Sequence, residues 1–123
     1  MTPAQQIWNR ACQLYCTGAG EGDLELWYLL RVHGAVRSGG ISLAGEVCTK
    51  AELKAASRAC LYFGLEALSE VVFIISKSTA ADDVWLQREY DDLVPTDQVL
   101  FDAFERRLAD TPEEFEPPDV FSR

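Results

Sequence analysis

Apolar residues recur at three- and four-residue intervals along almost the whole of this 123-residue chain, and no stretch sustains an alternation of period two. A helical side chain returns to its face after 3.6 residues and a strand side chain after two, so the pattern predicts helices and no sheet. Ile7, Trp8, Ala11, Cys12, Leu14 and Tyr15 mark a first apolar face, opened by Thr2 as N-cap and Pro3 at the first helical position. Gly18, Gly20 and Gly22 break it, and no strand precedes them as a phosphate-cradling loop requires, so they read as a flexible linker. Asp23 is placed as the cap of a second helix with Leu26, Trp27, Leu29, Leu30, His33 and Val36 on its stripe, ended by Ser38-Gly39-Gly40.

Ile41 to Glu46 suits one short helical turn. Thr49-Lys50-Ala51-Glu52 has the reciprocal pairing of a capping box. It opens a third main helix that turns Leu53, Ala56, Cys60, Leu61 and Phe63 inward and closes at Gly64. Leu65 to Ser76 is apolar on most sides and is predicted to be the central buried helix. Val84, Trp85, Leu86, Tyr90 and Leu93 define another amphipathic helix, stopped before Pro95. Thr96 or Asp97 caps the next, with Leu100, Phe101, Phe104 and Leu108 inward, and Thr111-Pro112 starts a last turn around Phe115. The expectation is one all-α domain of about six or seven helices over residues 1–116, with a short tail over 117–123 that carries Phe121.

Charge is distributed unevenly. Residues 1–61 carry 5 acidic and 6 basic side chains, whereas residues 62–123 carry 15 and 5. Within 82–119, 13 acids face only Arg88, Arg106 and Arg107, a net −10. A sequence pI near 4.5 argues against direct binding to nucleic acid or to an anionic membrane, both of which require Lys and Arg, and favours a basic partner. With no basic n-region followed by an apolar run at the N-terminus, and no apolar stretch near the ~20 residues of a membrane span, a cytoplasmic protein is expected.

Signals for chemistry are sparse. Cys12 and Cys16 sit four apart on a predicted helix rather than in a turn, and Cys48 and Cys60 are twelve apart. Neither pair suits a zinc knuckle, so four buried free thiols are expected, with no metal and no cofactor. His33 is the sole histidine and lies on an apolar stripe, where a satisfied, partly buried imidazole is the expectation. The carboxylate pairs Asp82-Asp83, Asp91-Asp92 and Glu113-Glu114 fall on polar helix faces or at helix starts. There the helix dipole favours negative charge by ~0.3–1 kcal/mol each. B-DNA presents one charge per ~1.7 Å, whereas one helix with an acid every three or four residues presents one per ~5–6 Å. Only two acidic helices and the terminal turn, side by side, approach that density.

The segment Leu26-Trp27-Tyr28-Leu29-Leu30 through Val36 leads to Ser38-Gly39-Gly40-Ile41, and Lys50 to Phe63 ends in Ala59-Cys60-Leu61-Tyr62-Phe63-Gly64. With the acidic segment Asp97 to Leu108, this resembles a family of small all-helical bacterial domains of unknown function that includes a DNA-mimic protein. Arg37-Ser38 and Ile41 stand where that family usually has Asn before its glycine pair and an aromatic residue after it. The resemblance implies an all-helical fold and an acidic face able to occupy a basic, DNA-binding surface; immunity partners of bacterial toxins are similar in size and charge.

The expected function is therefore non-enzymatic occlusion of a basic protein partner, a toxin or a DNA-binding protein. The expected contacts are Asp83, Glu89, Asp91, Asp92, Asp102, Glu105, Asp110, Glu113 and Glu114. Two alternatives are a small-molecule enzyme or sensor with a pocket around His33, Trp27 and a cysteine, and a structural subunit whose charge only maintains solubility.

Overall fold

Six helices carry the fold in a computed structural model that describes residues 1–118; residues 119–123, including the expected tail residue Phe121, lie outside the described part. Of the described residues 75% are helical, in a single all-α domain with no strand among them. The helices are α1 (Pro3–Ala11), α2 (Glu21–Val47), α3 (Lys50–Tyr62), α4 (Glu66–Ile75), α5 (Asp83–Leu93) and α6 (Gln98–Asp110). Short 3-10 turns at Ala80–Asp82 and Pro112–Glu114 precede α5 and follow α6.

Local sequence chemistry sets most boundaries. Thr2 Oγ1 accepts the Gln5 N–H while Gln5 accepts the Thr2 N–H, and Thr49 and Glu52 repeat the reciprocal cap at α3. At the end of α3, Gly64 adopts φ +77°, and Leu65 N–H reaches Cys60 O while Gly64 N–H reaches Leu61 O. This pair of bonds satisfies carbonyls that the helix leaves open, at a position glycine occupies without a Cβ clash.

The helix running through the middle of the molecule is α2, which packs on α1, α3, α5 and the terminal turn; α4 packs on α3 and α5. The apolar composition of α4 made it the predicted centre, but Phe73 is 38% exposed there. Between α3 and α4, Ser57 Oγ donates to Ser69 O at 2.8 Å and Ser69 Oγ donates to Ser57 O at 2.7 Å. These bonds satisfy two buried hydroxyls where the alanines of α3 let the helices approach.

Five residues expected on apolar faces are exposed instead. Helix α1 ends at Ala11, its last turn tightening through Gln13 N–H to Arg10 O, so Leu14 and Tyr15 leave the apolar face and are exposed. Leu61 lies about 100° around the helix from buried Cys60 and is also exposed. On α5, Leu86 and Tyr90 define the inward face. Val84 and Trp85 lie roughly 100–200° away from Leu86 and face outward.

The glycine-rich segment is a packed seam rather than a flexible linker. Gly20, not Asp23, is the N-cap of α2, and Asp23 at the third helical position accepts the Gly20 N–H at 3.0 Å. The same carboxylate accepts Arg10 Nη2 at 2.6 Å and the Glu116 N–H at 2.7 Å, tying α1, α2 and the C-terminal segment together. A Cβ on Gly22 would come within 2.5 Å of the buried Phe115 ring, and one on Gly20 within 2.2 Å of Glu114 O. Those two glycines allow the C-terminal segment its close approach.

Candidate functional site

Helix α2 is bent at Gly39 and Gly40, where the backbone leaves helical geometry before resuming through Val47. The bend frees the Ile41 N–H, which donates to Gln87 Oε1 of α5 at 2.7 Å. Gln87 Nε2 in turn donates to Asp91 Oδ1 at 3.0 Å. Gly40 has φ +77° and ψ −174°, a conformation essentially confined to glycine, and a Cβ there would sit 2.8 Å from Gln87 Oε1. Gln87 thus holds the bend to α5, a role that nothing in the periodicity signalled.

Between the bend and α5 lies a groove of about 550 Å³. Asp83, Val84, Gln87, Asp91 and Asp92 line it from α5, with Gly39, Gly40, Ile41 and Ser42 opposite. Arg88 is the one cation of the lining. Asp83, Gln87 and Asp91 stand four residues apart, so one helix face presents them together. Val84 is 73% exposed and its neighbour Trp85 44%, an apolar pair on the surface beside three carboxylates.

The other expected contacts lie elsewhere. Glu89 is exposed on α5 outside the groove lining; Asp102, Glu105 and Asp110 are exposed on α6, and Glu113 is exposed on the final turn. Helices α5 and α6 do not pack along each other: α5 lies on α2 and α4, α6 on α1 and the terminal turn. Glu114 is engaged internally. It accepts from the Tyr62 hydroxyl and from Arg107 Nη2 at 3.0 Å, while the Arg107 guanidinium lies 3.9 Å from the centre of the Tyr62 ring. Those hydrogen bonds hold the Glu114 carboxyl below its usual range. The remaining eight expected contacts form no ion pair among the described residues.

The structure gathers the second set of predicted residues too. His33, Trp27 and Cys12 line one cleft of about 600 Å³ between α1 and α2, with Trp8, Arg31, Arg37 and Asp97. His33 is buried, with Nδ1 2.7 Å from the Tyr90 hydroxyl and Nε2 2.7 Å from Asp97 Oδ1. The hydrogen bond from His33 holds the Asp97 carboxyl below its usual range, so Nε2 carries the proton and donates. Burial pushes the Tyr90 hydroxyl up, so it stays protonated and donates to Nδ1. Asp97, at the N-cap position of α6, spends its side chain on this link rather than on a cap bond.

This relay ties α2, α5 and α6 together, and it leaves His33 no free nitrogen for a thiol. Cys48 and Cys60 are buried, as expected of all four cysteines, but Cys12 is exposed and Cys16 is half-buried. Burial pushes all four thiols up, Cys60 to about 12. None has the lowered pKa that makes a cysteine reactive at neutral pH.

Burial, outweighing the neighbouring Asp97, holds the His33 imidazole below its ordinary value near 6.5. A histidine kept neutral in the fold stabilises it fully above the unfolded value. That stability falls on acidification, because the unfolded chain takes up the proton first. With a single histidine in the chain, urea unfolding between pH 7.5 and 5.5 reads this effect, and a Glu25→Gln background removes the opposing contribution of the one carboxyl that burial pushes up. Stability is expected to fall below pH ~6.5 by up to about 1.4 kcal/mol per pH unit, with an imidazole NMR midpoint below 6.5. A midpoint above 6.5, or stability rising on acidification, would contradict the assignment.

No group of three or more His, Cys, Asp or Glu side chains among the described residues is placed to hold a metal ion, and no helix there is long and apolar enough to cross a membrane. No family model, curated protein or solved structure matches the chain.

Proposed function

We propose that the chain is a non-enzymatic binding protein that occludes a basic surface of a protein partner, in the manner of an inhibitor, an immunity protein or a DNA mimic. The groove between the α2 bend and α5 is its centre. The observation that carries the reading is the placement of Asp83, Asp91 and Asp92, without ion-pair partners, beside the outward-facing Val84 and Trp85. Charge held only for solubility requires no apolar neighbours. An interface does, because an aromatic or aliphatic anchor supplies affinity while surrounding charge steers the encounter and selects the partner. Lys or Arg side chains suit such a groove, their stems against Val84 and their heads among the carboxylates. Glu89 and the acids of α6 and the last turn extend the negative field beyond it.

Affinity capture from the producing cells tests this. The immobilised wild-type protein is expected to retain a basic protein at ~50 mM salt and release it by ~0.5 M, since exposed charges are screened within a few ångströms there. A bait carrying Asp83→Lys, Asp91→Lys and Asp92→Lys should retain none of it while its helical circular dichroism is unchanged. Equal retention by both baits would overturn the proposal.

A further inference from the structure

The cleft between α1 and α2 gathers two arginines in a predominantly acidic molecule. In a chain of net charge −9, its lining holds Arg31 and Arg37 against a single carboxylate, Asp97. Asp97 is already committed, accepting from His33 Nε2 at 2.7 Å with Arg37 Nε 3.4 Å away. Each guanidinium is anchored along one edge only. Arg31 reaches Glu52 and Val47 O through Nε and Nη2, and Arg37 reaches Asp97 and Val94 O through the same two atoms. Nη1 of both has no hydrogen-bond partner among the described residues; that of Arg31 is not buried, and Arg37 is itself an exposed residue.

The cleft also has fixed aromatic walls. Trp27 is oriented by a 3.0 Å bond from its indole N–H to Gln13 O, and Trp8 is wedged edge-on against Phe101 with ring centres 5.2 Å apart. Leu14 and Val47 line it as well, although both are exposed. Gly34 stands on α2 midway between the two arginines, and a Cβ placed there would meet nothing within 4 Å. Glycine inside a helix costs about 1 kcal/mol relative to alanine. No backbone conformation or close neighbour at Gly34 demands it; its effect is to leave the cleft open.

We propose that this cleft binds a small organic anion with a flat apolar body, in chemical class an aromatic carboxylate. The Nη1 edges of Arg31 and Arg37 take the carboxylate, and the ring system lies against Trp8 and Trp27. A volume of about 600 Å³ is in the range of small-ligand sites. Walls held before binding reduce the ordering that a ligand would otherwise impose. This site is separate from the acidic groove, and no residue lines both.

The test uses 1-naphthoate and its uncharged analogue 1-naphthalenemethanol as probes, with titration calorimetry and the NMR shift of the Trp27 indole N–H as readouts. Naphthoate is expected to bind saturably and to shift Trp27, with the alcohol at least about tenfold weaker because it forms no charge-assisted bonds. Arg37→Gln should weaken naphthoate about tenfold and leave the alcohol unchanged. Gly34→Leu sets its Cβ in open space and its branched end in the cleft, and replacing glycine favours the helix; it should abolish naphthoate binding while melting no earlier than the wild type. Three results would each overturn the site: no saturation below ~10 mM, equal affinity for the alcohol, or wild-type affinity in a folded Gly34→Leu protein.

Discussion

Replacing Asp23 with alanine is expected to cost about 3–5 kcal/mol of unfolding free energy, the range for breaking a buried ion pair by removing one partner. Asp23 is 3% exposed and accepts from Arg10, from the Gly20 N–H and from the Glu116 N–H. Its removal takes the buried carboxylate from a guanidinium that is itself 18% exposed, leaving Arg10 only Glu116, and strands two backbone donors in a seam closed by Gly20 and Gly22 against the C-terminal segment. Three chain segments lose their common acceptor at once. Urea unfolding followed by far-UV circular dichroism should show a lowered midpoint with an unchanged slope, the signature of altered stability rather than altered compactness. Glu113→Ala, an exposed control in the same C-terminal region, should stay within about 0.5 kcal/mol of wild type. A loss below ~1 kcal/mol for Asp23→Ala would show that the seam does not hold the termini together.

Phe104→Ala is expected to have a comparable effect, about 3–5 kcal/mol, from lost transfer energy and the cavity left behind. Phe104 is fully buried and meets four aromatic rings: Trp8 of α1, Phe63 beside α3, Phe101 of α6 and Phe115 of the final turn, with centres 5.6–6.5 Å apart. Offset and edge-on pairs of this kind contribute beyond their buried area. No single neighbour can collapse into the vacated space without unseating another element. Phe104→Leu, which keeps most of the volume, should recover more than half of the loss in the same unfolding measurement. Equal losses for leucine and alanine would mean that the site relaxes freely, contrary to its packing.

What the sequence made legible was governed by local chemistry. The Thr2 and Thr49 caps and the Gly64 terminus depend on residues within five positions of one another, and all are where the pattern placed them. Errors arose where tertiary contacts decide. Periodicity marks an apolar arc but not its width, so it groups Val84 and Trp85 with Leu86 although they face outward. Three glycines in a polar stretch read as slack because the close neighbours of two of them, Glu114 at Gly20 and Phe115 at Gly22, lie more than 90 residues away in sequence. Likewise, the spacing of acids along α5 and α6 carries no information about whether those helices are neighbours. Asp83, Asp91 and Asp92 line a groove because α5 docks on the α2 bend, where Gln87 fastens it. The grouping of His33 and Trp27 with a cysteine was legible in part; that the cysteine is Cys12 follows from how α1 docks on α2.

The most direct measurement of the account is the affinity of the captured basic partner for three versions of this protein at fixed ionic strength. These are the wild type, Asp83→Lys/Asp91→Lys/Asp92→Lys in the groove, and Asp102→Lys/Glu105→Lys/Asp110→Lys on α6, which change the net charge equally. If the groove is the interface, its reversal should weaken binding by at least ~100-fold, mainly through faster dissociation. The α6 reversal should weaken binding less than ~10-fold, through slower association. Equal losses in the two variants, or a larger loss from α6, would contradict a docking site at the α2 bend and leave only a diffuse acidic field.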